Sequence, residues 1–157
     1  MRRLATIAFA LTALASPLVA QSHPDFSGKW VMDPKTAEGQ MAPSAMTMSA
    51  TQDAKTLKIE SAATMMGAEQ KSDATVNLDG SPSKHTVNTP NGPLELTSVS
   101  KWDGATLVVT TTADVGGQAL ESIERYTLEA DGKTLRVARH VALAGQTFES
   151  KLAFTKQ

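Results

Sequence analysis

Apolar and polar residues alternate with a period of two through most of the second half of the chain. Leu135, Val137, Val141 and Leu143 fall at even spacing, where a helix would place apolar residues three and four apart. Four dipeptides ending in glycine interrupt the alternation: Asp103-Gly104, Gly116-Gly117, Asp131-Gly132 and Ala144-Gly145. Tight hairpin turns need positive φ, which glycine adopts readily, so each dipeptide reads as a turn between antiparallel strands.

Counting outward from these turns gives the cross-strand partners. The first places Leu96 opposite Thr111, Ser98 opposite Val109 and Ser100 opposite Leu107. The second places Val109 opposite Glu124 and Leu107 opposite Tyr126. The third sets Leu128 against Leu135, Tyr126 against Val137 and Glu124 against Arg139. The fourth sets Val141 against Phe148, Arg139 against Ser150, Val137 against Leu152 and Leu135 against Phe154. One apolar face keeps its parity through all four turns, and a one-residue slip at any of them would have thrown it outward.

The first half carries a strand over Phe26 to Met32, with Phe26, Trp30 and Met32 on one face, and a helical turn after Asp33-Pro34. Ser44 to Gln52 and Leu57 to Met65 form a hairpin around Asp53 to Thr56, and Glu69 to Leu78 follows. Asp79-Gly80 and Asn91-Gly92 bracket a short, proline-interrupted piece around His85 to Val87. The expected fold is all-β: an antiparallel up-and-down meander of about 8–10 strands that hides its edges by closing into a barrel. Closure requires the last strand, Thr147 to Thr155, to pair with the first.

Residues 1 to 20 change the picture of what folds. Arg2 and Arg3, then an uncharged Leu4 to Ala15 stretch, then Ser16-Pro17-Leu18-Val19-Ala20, form a secretory signal peptide with a cut after Ala20 or as late as Ser22. The apolar stretch is too short to span a ~30 Å bilayer core, so the mature chain is expected to have no transmembrane segment. The expected address is periplasmic or secreted. Residues 21–157 make one domain. Without Arg2 and Arg3, 13 of the 15 basic residues remain against 16 acidic ones, which argues against nucleic acid as a partner. There is no cysteine, hence no disulfide, no thiol nucleophile and no lipidation site. Stability must then come from an aliphatic and methionine-rich core.

Asp25-Phe26-Ser27-Gly28-Lys29-Trp30 resembles the Gly-x-Trp signature on the first strand of lipocalins and related calycin barrels, which makes Gly28 and Trp30 structural markers. Tyr126 to Val137, Gly145 to Phe148 and Lys156-Gln157 are similar to the ending of small secreted bacterial lipocalin-like proteins of unknown role. The resemblance implies a lipocalin-like barrel with room for a small apolar molecule. It departs from lipocalins in lacking a Thr-Asp-Tyr motif, and the last strand offers only Lys151 and Lys156 where lipocalins cap the tryptophan with arginine.

Glu124 opposite Arg139 is the sharpest candidate for chemistry. A buried ion pair costs desolvation energy that apolar residues would avoid, so an inward pair marks an anchor, a structural bridge or a wetted cavity. Ser98, Ser150 and Tyr126 share its surroundings. Met41, Met46, Met48, Met65 and Met66 crowd into 26 residues. Met46 and Met48 face inward as core filling, as a soft lining for an apolar ligand, or as thioether ligands for Cu(I). His23, His85 and His140 form no metal set, and the sequence implies no cofactor. The nucleophile-elbow and phosphate-loop motifs are missing, so an enzyme is not expected. The leading expectation is a barrel that binds a small, mostly apolar ligand, with a carboxylate held by Arg139. The alternatives are an envelope interaction or inhibitor module with a filled barrel, and a methionine-based copper binder.

Overall fold

Successive hairpins carry the chain around a nearly closed antiparallel barrel. The computed structural model describes residues 23–89 and 92–157; the expected leader and Asn91 lie outside them. The strands are β1 (Gly28–Met32), β2 (Glu38–Gly39), β3 (Ala45–Gln52), β4 (Thr56–Met65), β5 (Ala68–Asn77), β6 (Ser83–Thr89), β7 (Gly92–Asp103), β8 (Thr106–Val115), β9 (Gln118–Leu128), β10 (Thr134–Leu143) and β11 (Gln146–Lys156). Hydrogen-bonded neighbours run β5-β4-β3-β1-β11-β10-β9-β8-β7-β6. The last strand pairs with the first, with Trp30 opposite Lys156 and Met32 opposite Phe154. Between them and β2 comes a single 3-10 turn, Pro34–Thr36, whose start Asp33 caps by accepting from the Lys35 N–H at 3.0 Å. β2 then resumes beside β11, with Gly39 opposite Ser150.

Among the described residues the ladder has one unpaired seam, between β5 and β6. Other contacts bridge it: Ser100 Oγ donates to the Asn77 carbonyl at 2.5 Å, and Asn77 Nδ2 donates to the Pro82 carbonyl at 3.2 Å.

Three of the four hairpin registers in the second half match the turn count. Leu107 faces Tyr126, Glu124 faces Arg139 and Val141 faces Phe148. The Asp103-Gly104 hairpin differs by two residues: Ser98 faces Thr111, Ser100 faces Val109 and Trp102 faces Leu107. Asp103 pairs with Thr106, so Gly104 and Ala105 make the turn, with positive φ only at Gly104. That is the glycine-first turn type, in which aspartate belongs to the strand. A slip of two preserves the inward face.

The core fills one end of the barrel. Trp30, Leu57, Leu107 and Leu135 are completely buried, with Phe26 and Phe154 beside them. Phe26 precedes β1 and lies across the barrel end as a plug. Its carbonyl accepts from Trp30 Nε1 at 2.9 Å. Gln52 clamps the plug by accepting from the Phe26 N–H at 3.1 Å and donating to the Pro24 carbonyl at 2.9 Å. His23 stacks on Trp102 with ring centroids 4.0 Å apart. Lys156 Nζ lies over the Trp30 ring, 5.3 Å from its centre.

Candidate functional site

The other half of the barrel holds a cavity of about 220 Å³. At ~30 Å³ per water that is room for about seven molecules. It is smaller than the ~300 Å³ and upward of typical small-molecule sites, yet it excludes a solid core. The wall is mostly apolar: Ile59, Val76, Val87, Leu96, Val109 and Leu120 contribute. Met46 and Met48 line it from β3, as the alternation of that strand predicts.

Arg139, Glu124 and Tyr126 meet on its polar wall. Arg139 and Glu124 sit opposite one another on β10 and β9, so backbone pairing sets their separation. Arg139 Nε donates to Glu124 Oε1 at 2.7 Å, and the Tyr126 hydroxyl donates to Glu124 Oε2. The Arg139 and Glu124 side chains are 26% and 19% exposed, so this pair is far more sheltered than the surface bridges. Burial alone would raise the Glu124 carboxyl, but the Arg139 charge and the bonds from Tyr126 and Arg139 outweigh it and hold the group below its ordinary value. Glu124 is therefore charged at neutral pH. Its charge, working against desolvation, raises the Arg139 guanidinium further. Burial and the Glu124 charge push the Tyr126 hydroxyl well up, so it stays a donor. The triad is neutral in sum. The Nη groups of Arg139 have no hydrogen-bond partner among the described residues.

Ser98 also lines the cavity, with its hydroxyl 2.8 Å from that of Thr111. A second hydroxyl pair, Ser61 and Ser72, stands 2.9 Å apart on β4 and β5. Ser150 is a correction. It is buried and opposite Arg139, as counted, but it does not line the cavity; it lies where β2 pairs onto β11. The methionines do not gather at one point. Met46 and Met48 reach the cavity, whereas Met41 is exposed in the loop after β2 and Met66 is fully exposed at a hairpin tip. No cluster of three or more His, Asp and Glu side chains suited to a metal occurs among the described residues.

His85 and Asp73 line the cavity beside the unpaired seam, and sequence reasoning missed both as site residues. The signal available for His85 was its two-residue spacing from Val87. Burial lowers the His85 imidazole below its ordinary value, with the Asp73 charge pulling partly back.

No protein-family profile and no curated protein sequence matches the chain. Solved structures do. A fatty acid transporter, REP1-NXSQ, aligns at a TM-score of 0.51 with 12% identity, over 83% of this chain and 95% of that one. The fluorescent protein UnaG aligns at 0.55 with 11% identity, over 84% and 97%. Zebrafish ileal bile acid-binding protein complexed with cholic acid aligns at 0.51 with 12% identity, over 84% and 98%. The shared fold is an antiparallel up-and-down β-barrel. At these identities the likeness shows architecture alone.

Proposed function

We propose that this barrel is exported and binds a small, mostly apolar molecule whose hydrogen-bond-accepting head meets Arg139. The observation that carries the reading is the Glu124–Arg139–Tyr126 triad on the wall of an apolar cavity, with the Arg139 Nη groups unclaimed. Holding such a pair in a low-dielectric interior serves a ligand better than it serves stability. The cavity also speaks against a filled-barrel interaction module. The fatty acid transporter and the cholic acid complex among the similar barrels support a ligand of this amphipathic class.

Glu124 modifies the carboxylate anchor. An incoming carboxylate must share a guanidinium that Glu124 already neutralises, whereas a neutral carbonyl or hydroxyl head meets no repulsion. Displacement of an environment-sensitive dye by octanoate and octanol separates the two heads. Glu124→Gln is expected to strengthen octanoate by about tenfold, one charge–charge contact at intermediate dielectric, and to leave octanol unchanged. Failure of the wild-type protein to bind any apolar probe sinks the proposal. Export is tested by the mass of the mature protein, which should begin at Gln21 or His23.

A further inference from the structure

The nitrogen Nδ1 of His85 is buried and has no hydrogen-bond partner among the described residues. It is the only buried side-chain nitrogen or oxygen among them left in that state. Buried polar atoms in folded proteins are almost always paired, so an orphan beside an empty volume marks where a partner arrives from outside the chain. His85 borders such a volume, and the same cavity holds Arg139. The two are on different walls: His85 is on β6, paired with Leu96 of β7, and Arg139 is on β10. β9, β8 and β7 intervene along the sheet. Asp73 reaches the cavity across the seam.

Desolvation keeps the imidazole neutral at neutral pH, in one of two tautomers. In one, Nδ1 accepts a hydrogen bond; in the other it donates. A hydroxyl satisfies either tautomer, since it both donates and accepts. A plain hydrocarbon chain satisfies neither and would bury the nitrogen against methylene groups.

We propose that His85 Nδ1 is the second polar contact of the bound molecule, and that the ligand class is an apolar body with an acceptor head at Arg139 and a hydroxyl at His85. The proposal rests on the ligand-binding reading above and narrows it. It also explains a lining that is neither uniformly greasy nor polar enough for a sugar.

Dye displacement by octanoate and a set of hydroxyoctanoates differing in hydroxyl position tests it. At least one hydroxylated probe is expected to bind wild-type protein roughly tenfold more tightly than octanoate, the worth of one well-made buried hydrogen bond. His85→Leu should erase that preference and leave octanoate bound. His85→Asn, which keeps a polar atom near the Nδ1 position, should restore part of it. The nitrogen-15 resonance of His85 Nδ1 in the wild-type protein gives a reading that needs no variant. It should move on adding the preferred hydroxylated probe and stay in place with octanoate. Octanoate and every hydroxylated probe binding equally, with an unmoved resonance, would overturn the inference and leave the ligand-binding reading standing. If no probe binds at all, the ligand-binding reading falls first. A preference that survives in His85→Leu places the hydroxyl elsewhere and also overturns it.

Discussion

At the Trp30 end of the barrel the connections between strands carry aspartates that hydrogen-bond their own turns; at the far end they carry glycine, alanine and methionine. Asp53 accepts from the Lys55 and Thr56 N–H groups, both at 2.7 Å. Asp131 does the same for Lys133 and Thr134 at 2.8 and 2.9 Å, and Asp79 accepts from the Ser81 N–H at 2.9 Å. Among the described residues the far-end tips Met66-Gly67, Gly116-Gly117 and Ala144-Gly145 contain no ionisable residue, and only the Gly116-Gly117 turn receives an aspartate, Asp114 of β8, which accepts from the Gly117 N–H at 2.8 Å. The interior divides the same way, with the packed aromatic core near Trp30 and the cavity beyond it. Stability is concentrated at one end. The other end gives up packing, and at Met66 and Ala144 good turn chemistry, where a ligand would enter, as binding regions carried on a rigid scaffold commonly do.

The sharpest way to break this division is to measure core truncations at both ends. Trp30→Ala removes a completely buried side chain and is expected to cost about 3–5 kcal/mol in denaturant unfolding. Leu120→Ala, on the cavity wall and already partly exposed, should cost about 1 kcal/mol or less, because there is little packing to lose. Equal costs would show that the two halves share one core.

The triad tests whether the far half tolerates polarity for function. Arg139→Leu alone leaves Glu124 charged and sheltered, at a cost of about 2 kcal/mol, below the ~3–5 of a fully buried pair because both side chains retain some exposure. Adding Glu124→Leu should return most of that loss while apolar probes lose their head-group contact. A double variant no more stable than the single one would mean that the pair is structural.

The turn aspartates predict how the Trp30 end responds to acid. Backbone hydrogen bonds hold the Asp53 and Asp131 carboxyls below their ordinary value of 3.8. A lowered folded-state value means that the contribution is fully present above the unfolded value and disappears as pH falls through the folded one. Wild-type stability should therefore decline as pH drops below about 4, and more shallowly in Asp53→Asn/Asp131→Asn, which keeps at each turn the one oxygen that accepts from the backbone, without the titration. Thermal unfolding across that range checks it; identical slopes would remove the turns from the account.

The legible part of this fold followed from parity. Alternation and turn glycines placed Glu124 against Arg139 and closed β11 onto β1, because inward and outward positions cannot be exchanged without exposing an apolar face. The two-residue shift at Gly104 escaped because parity is blind to it. Parity also names a face without giving depth, so Ser150 was correctly counted as opposite Arg139 and wrongly given to the cavity. His85 was obscured by its short strand, bounded by Pro82 before it and Pro90 after it in the sequence. The seam between β5 and β6 breaks no pattern along the chain, so alternation and turn residues do not mark it.

The smallest expected effect concerns two far-end residues that are poor choices for their backbone. Met66 has φ 51° and Ala144 φ 54°, both in the left-handed region, at the first central position of two-residue turns. Asparagine, aspartate or glycine suits such a position, because a side chain bearing Cβ is strained there unless it can hydrogen-bond locally. Met66 is also fully exposed, so no packing in the isolated barrel offsets the strain. Met66→Asn and Ala144→Asn should each stabilise the protein by up to about 1 kcal/mol, additively, since they lie in separate hairpins. The same change at the Trp30 end, Asp131→Asn at neutral pH, should stabilise nothing, because that turn already has its preferred residue. Chemical denaturation of the three variants makes the comparison, and a gain at Asp131 with none at Met66 would reverse it.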